Sequence, residues 1–167
     1  MRKIGIFAVS ILLLVGACKM SYKPLLVNVD NQFSLTVMDY LKKVDNLKEG
    51  APFQYSNKFR NFYAEAFYGE NQLPVDSFYN QELSVLKNVL KLPKVSQKEE
   101  VEISGLKGIK TELYGEMQGE NVYYSHLLLR DGAKYYEICV WTRGEERKLR
   151  YREDIEAILQ SFKLIKK

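Results

Sequence analysis

The single histidine of the chain, His126, could form a reactive cluster with Glu137 and Cys139. An Asp-Gly pair, which favours a two-residue β-hairpin loop, stands at 131–132. With that loop, His126 pairs directly with Glu137, and Cys139 falls two residues further along the same strand. Directly opposed residues, and every second residue along a strand, share one face of a sheet. The sequence therefore predicts that these three side chains lie together.

Aromatic residues join the same face in this register. Tyr124 would pair with Cys139, and Trp141 would pair with Val122. The residues of this possible binding face alternate along the two strands: Tyr124, His126, Tyr135, Glu137 and Trp141. The opposite face would be apolar apart from Ser125, which is typical of a core layer.

The mixed face has three functional interpretations and one structural one. His126 and Cys139 could be the base and nucleophile of a hydrolase, or could bind a metal ion together with Glu137. The aromatic side chains could instead line a binding cleft. In the structural interpretation, His126 pairs with Glu137, the aromatic rings pack under a helix, and the thiol is a small buried hydrophobic group. We expect the structural interpretation, with no catalytic residue, no metal and no cofactor, because chemistry would need partners that the chain does not offer.

The composition argues against several other classes of protein. Lysine and arginine number 25 and acidic residues 21, giving a net charge of only +4, so a nucleic-acid partner is not expected. The chain has no phosphate-binding loop, no dinucleotide glycine fingerprint and no Gly-x-Ser-x-Gly elbow. One histidine and no Cys-x-x-Cys pair make a standard zinc site hard to assemble.

The N-terminus carries the pattern of a secretory signal. Arg2 and Lys3 precede an uncharged, apolar stretch at 4–17, which ends in small residues before Cys18. The stretch is too short and too abruptly ended for a good membrane-spanning helix. The tetrad Val-Gly-Ala-Cys at 15–18 resembles the bacterial lipobox, in which the cysteine is lipidated and becomes the first residue of the mature protein.

This resemblance implies how the chain is divided and where in the cell the protein is located. Residues 1–17 would be a lipoprotein signal peptide, residues 18–31 a lipidated tether, and residues 32–167 the globular domain. Acyl chains on Cys18 would anchor the protein to a membrane of the cell envelope, facing the periplasm. The sequence does not distinguish the inner membrane from the outer membrane. Once Cys18 is acylated, Cys139 has no disulfide partner within the chain and should be buried and inert.

Periodicity predicts an α+β domain, with a mostly antiparallel sheet and helices laid on it. Strands are expected where apolar and polar residues alternate between turn signals: 33–38, 53–59, 62–68, 97–103, 106–117, 122–130 and 134–142. Residues 39–51 form a connection with apolar residues at helical spacing. Helices are expected at 74–92 and 148–162, where apolar residues recur on one side.

This order of elements resembles the PsbP-like and DcrB-like family. Five short segments carry the resemblance: 33–37, 53–57, 103–108, 135–142 and 158–162. The family implies a central antiparallel sheet sandwiched between helices. It also implies a binding or assembly role without a common catalytic centre, and it transfers no functional residue to this chain.

Near the start of the last predicted helix lies a basic group: Arg143, Arg147, Lys148, Arg150 and Arg152. These side chains could contact anionic headgroups or an acidic partner, or could be a solvated helix end.

We expect, from these features together, a membrane-anchored, non-catalytic envelope lipoprotein that binds a ligand or assists assembly, with an envelope protein as a candidate partner. The alternatives are a structural or interaction subunit of an envelope complex, and a hydrolase or metal-binding protein centred on His126.

Overall fold

Eleven strands and three helices make up residues 22–165, the part of the chain that the computed structural model describes. The strands are β1 Pro24–Val29, β2 Phe33–Met38, β3 Lys42–Lys43, β4 Phe53–Asn57, β5 Phe62–Glu70, β6 Lys91–Val95, β7 Glu99–Ile103, β8 Leu106–Met117, β9 Glu120–Asp131, β10 Lys134–Arg143 and β11 Lys163–Leu164. The helices are α1 Val75–Asn88, α2 Glu145–Arg150 and α3 Arg152–Gln160.

A large antiparallel sheet forms the centre of the molecule. Its strand order is β3-β4-β5-β10-β9-β8-β6, and β7 pairs with the first half of β8. A small antiparallel sheet has the order β1-β2-β11. The predicted α+β class, with a mostly antiparallel sheet between helical layers, is confirmed.

Tight turns with left-handed residues join the long strands. Gln118 and Gly119 have φ angles of +55° and +82° between β8 and β9, as a type I′ turn requires. This turn matches the right-handed twist of the strands it connects. The predicted strand at 106–117 is confirmed at both ends. Its ends were predictable because turn residues bound the strand on each side.

Two hydrophobic layers lie on opposite faces of the large sheet. On one face, α1 buries Phe78, Tyr79, Leu83 and Leu86 against β8, β9 and β10. On the other, α3 and the small sheet pack on the sheet through residues such as Ile158. Both long central strands, β9 and β10, are therefore covered on both sides.

The predicted tether at 18–31 is wrong over residues 24–29, because these form β1. Leu25 pairs with Val37 and Val27 pairs with Leu35, so the segment is an edge strand of the small sheet. The folded domain therefore includes these residues. The predicted signal peptide at 1–17 and Cys18 lie outside the described residues.

The helices are shorter than periodicity predicts. The predicted helix at 148–162 is divided at Tyr151, whose ring is buried and stacks on Phe62 at 5.3 Å, into α2 and α3. Helix α1 ends at Asn88, and the residues after it enter β6 instead. No helix within residues 22–165 combines the length and the apolar character needed to span a bilayer.

Candidate functional site

The β9–β10 hairpin differs in register from the prediction. Asp131 pairs with Lys134, so the loop is Gly132-Ala133 and not Asp131-Gly132. Gly132 has a φ of +58°, whereas Ala133 is not left-handed, which is the pattern of a type II′ turn with glycine at its first central position. The loop therefore starts one residue later than a type I′ Asp-Gly turn would.

The predicted partners are wrong as a result. His126 lies opposite Cys139, not Glu137, and Trp141 lies opposite Tyr124, not Val122. Glu137 lies opposite Leu128. Every pairing has moved by two residues.

The predicted face survives this error because side chains alternate with a period of two. His126 Nε2 lies 2.9 Å from Glu137 Oε1, across the diagonal between the strands. The ligand atoms of His126, Glu137 and Cys139 all lie within 4.8 Å of one another. The structure therefore brings the three side chains together, as predicted.

The cluster belongs to a longer row of polar residues that the sequence did not reveal. The row crosses five strands through directly opposed positions: Gln54, Glu65, Cys139, His126 and Thr111. All five side chains are buried. The signal that could have identified Glu65 is its isolation between two alanines of β5, yet no turn connects β5 to β10 and so nothing local fixes their register.

Helix α1 covers this row and separates it from solvent. Tyr79 shares a hydrogen bond of 2.7 Å with the Thr111 hydroxyl, and its ring lies 6.2 Å from the ring of His126. His126 has no exposed surface, and Glu137 is only 4% exposed. Solvent and substrates therefore do not reach the imidazole in this conformation.

Lys48 links the polar row to the surface. Its Nζ lies 3.7 Å from Glu137 Oε2 and 4.0 Å from the centre of the Phe67 ring, and its side chain is 39% exposed. Burial by itself would raise the pKa of the Glu137 carboxyl, but the hydrogen bond from His126 and the attraction of His126 and Lys48 lower that pKa overall. Glu137 is therefore held as a carboxylate.

The pKa values of Glu65 and Cys139, two members of the row, shift in the opposite direction to that of Glu137. Burial raises the pKa of Glu65 to about 7, since Lys48 offsets only part of this effect and Glu137 adds to it. Burial, assisted by the neighbouring Glu137 and Glu65 carboxyls, raises the pKa of the Cys139 thiol well above its usual range. A protonated thiol is a poor nucleophile and a poor metal ligand.

The aromatic members of the predicted face pack as core. Trp141 is 6% exposed and stacks between Tyr63 at 5.3 Å and Tyr124 at 5.2 Å. Tyr135 packs against Phe78 of α1, with ring centres 4.4 Å apart. Trp141 and Tyr124 thus belong to a packed aromatic stack, and Tyr135 is half-buried against α1, so these rings do not form the wall of an open cleft.

A metal ion at the cluster would have to replace existing contacts. His126, Glu137 and Cys139 offer one nitrogen, one oxygen and one sulfur, but the imidazole and carboxylate already bond to each other. The thiol would also have to lose its proton at a fully buried position beside the Glu137 and Glu65 carboxyls. The residues therefore fit a structural pair better than a metal site.

An open cavity of about 480 Å³ lies elsewhere, beside β6, β8 and the start of α2. Lys148 is one of its lining residues, and its Nζ lies 4.0 Å from the Tyr114 ring and 4.8 Å from the Tyr123 ring. Leu92, at the rim of the cavity, is 76% exposed. Sequence reasoning missed this cavity because its lining comes from segments far apart in the chain.

An exposed apolar stripe begins on α1, continues past the end of that helix into β6 and reaches this cavity. Val85 and Val89 are four residues apart, about half exposed, and followed by Leu92. Residues at this spacing share one side of a helix. We call Val85, Val89 and Leu92 the α1 stripe.

Comparison by sequence finds no matching protein-family model and no matching curated protein. Comparison by structure finds several similar folds. Cyanobacterial PsbP (CyanoP) from Synechocystis matches with a TM-score of 0.61 at 10% identity, over 89% of this chain and 95% of CyanoP.

Two proteins from other organisms match with similar TM-scores. The Ran-binding protein Mog1p of Saccharomyces cerevisiae matches with a TM-score of 0.59 at 11% identity, over 87% of this chain and 97% of Mog1p. LpqN of Mycobacterium tuberculosis, involved in cell envelope biogenesis, matches with a TM-score of 0.58 at 10% identity, over 87% of this chain and 92% of LpqN. The chain therefore has the fold shared by CyanoP, Mog1p and LpqN.

Proposed function

We propose that this protein is a membrane-anchored, non-catalytic lipoprotein of the cell envelope, held by acyl chains on Cys18 and facing the periplasm. The observation that carries the proposal is the tetrad Val-Gly-Ala-Cys at 15–18 after a basic head and an apolar stretch. Strand β1 begins at Pro24, only six residues after that cysteine. Such an arrangement would keep the domain close to the membrane.

We further propose that the domain acts by binding a partner protein and not by chemistry. Burial of His126 and Cys139 supports this part of the proposal, since neither side chain meets solvent. The α1 stripe also supports it, because neighbouring exposed apolar side chains form the kind of patch that marks a protein contact. Similarity in fold to LpqN, which is involved in cell envelope biogenesis, is compatible with an assembly role here.

Metabolic labelling with a palmitate analogue tests the anchor. The unaltered protein should carry the label and Cys18→Ser should carry none and accumulate as precursor. Cys139→Ala is the matched control, since it removes the other of the two cysteines and should keep the label. Label that persists in Cys18→Ser would contradict the proposal.

A further inference from the structure

Phe59 stands alone in solvent at one end of the domain. It lies in the turn between β4 and β5 and is 99% exposed. Lys58 and Arg60 flank it. A fully exposed phenylalanine contributes nothing to the core, so its ring is available to contact a surface outside the domain.

The chain enters the domain beside this same turn. The Arg60 guanidinium lies over the rings of Tyr22 and Tyr40, at 4.7 Å and 4.6 Å, and it also contacts the Tyr22 hydroxyl. Tyr22 is thus fixed next to the turn. A chain spans at most about 3.5 Å per residue, so an acyl anchor on Cys18 would be joined to Tyr22 by a linker of no more than roughly 14 Å.

Basic side chains surround this end of the molecule. The amide of Arg143 donates to the Asn61 carbonyl at 3.0 Å, and Arg60 donates to the Tyr151 hydroxyl at 3.3 Å, so α2 adjoins the turn. Residues 58–61 and 143–152 together carry seven basic and two acidic side chains. Leu149, in α2, is 73% exposed.

We propose that this end of the domain, formed by residues 58–61 and α2, rests on an anionic bilayer, with Phe59 inserted among the lipids. The inference rests on the proposed lipid anchor, which would deliver Tyr22 and the adjoining turn to the membrane. Basic residues near a bilayer are attracted to anionic headgroups, and an aromatic ring among them partitions into the interface. The anchor and the turn would then bind as two linked contacts, each raising the effective concentration of the other.

Depth-dependent quenching by brominated lipids tests the contact. Full-length acylated protein carrying Phe59→Trp is reconstituted in vesicles of phosphatidylglycerol and phosphatidylcholine, with and without bromine on the acyl chains. Leu73→Trp is the matched control, because Leu73 is also exposed and adjoins the β9–β10 turn at the opposite end of the sheet. The unaltered protein supplies the signal of the buried Trp141.

Bromine should reduce the added fluorescence of Phe59→Trp about twofold and leave that of Leu73→Trp unchanged. Combining Phe59→Trp with Lys58→Glu and Arg150→Glu should weaken the quenching. Equal quenching at both sites, or none at residue 59, would overturn the inference. An acidic protein that protects residue 59 in place of lipid would overturn it in the same way.

The mature chain from residue 18 onwards, carrying Cys18→Ser and lacking the apolar stretch at 4–17, separates this inference from the proposed function. Without acyl chains it should still bind the anionic vesicles, more weakly and with strong sensitivity to salt, and residue 59 should still be quenched. Failure to acylate Cys18 would contradict the anchor alone. An acylated protein whose residue 59 stays unquenched would contradict the docking alone.

Discussion

The two faces of the large sheet are both covered but differ in what they bury. The face packed on α3 and the small sheet is apolar apart from the hydroxyls of Ser125 and Thr142, with Leu127, Leu129 and Ile138 fully enclosed. The face under α1 has a row of polar and titratable side chains at its centre, including Glu65 and His126. Burial alone stabilises the first face, whereas the second must satisfy its own hydrogen bonds and charges.

This difference indicates what a buried polar row contributes. Replacing such groups by apolar ones is often neutral or stabilising, so the row is weak evidence for stability. A slip of one residue between β9 and β10 would, however, place His126 and Glu137 on opposite faces, with one of them in the apolar layer. We infer that the polar row helps to fix the strand register, which the apolar face by itself specifies less strictly.

The largest expected effect comes from two neighbouring leucines that point to opposite faces. Leu127 and Leu128 are both fully buried, Leu127 on the apolar face and Leu128 beside Glu137. Leu127→Ala should cost about 2–5 kcal/mol of unfolding free energy, because its cavity stays dry. Leu128→Ala should cost less, since water can enter a cavity bordered by polar groups. Urea denaturation of both variants measures the difference, and an equal or larger loss for Leu128→Ala would contradict the contrast between the faces.

Replacing the two buried glutamates by glutamine should change the unfolding free energy by a smaller amount, and in opposite directions at the two positions. The pKa of Glu137 is lowered in the folded protein, so its carboxylate stabilises the fold above the unfolded pKa near 4.5, and this contribution is lost as the pH falls through the folded value. Glu137→Gln should therefore destabilise the protein at neutral pH, by about 1–3 kcal/mol.

Glu65 should behave in the reverse way. Its pKa rises to about 7 on folding, so the folded state holds the proton more tightly and stability falls as the pH rises from about 4.5 through 7. Glu65→Gln should remove this loss and stabilise the protein by about 2 kcal/mol above pH 7, with little effect in acid. Urea midpoints recorded across this pH range test both variants. If both substitutions moved the midpoint at neutral pH in the same direction, the opposite pKa shifts of Glu65 and Glu137 would be contradicted.

Sequence patterns identified those parts of the fold that local signals determine. The Gln118-Gly119 turn and the alternation on either side of it predict β8 and β9, and the apolar periodicity predicts α1. Strand β1 was missed because Leu25, Leu26 and Val27 do not alternate with polar residues. Strand β6 was missed because Pro93 ends a helix and is uncommon within a strand, which is tolerated here at an irregular edge.

The candidate site was predictable only within one hairpin. The face shared by His126, Glu137 and Cys139 followed from alternation and tolerated an error in the turn, because the error moved the register by two residues. Glu65, Gln54 and Thr111 come from strands paired over long distances in the chain, and their register depends on the packed sheet. Burial of the whole row depends on α1, which no local signal positions over it.

Reactivity of the Cys139 thiol tests most directly the central claim that the face under α1 is a closed structural layer and not a site. In the full-length Cys18→Ser protein this is the one remaining thiol, and it is 2% exposed. A thiol reagent should modify it at least about a hundredfold more slowly in the native protein than in urea, because modification requires opening of the fold. Rapid modification of the native protein would contradict the claim, and the cluster of His126, Glu137 and Cys139 would then be a solvent-accessible site.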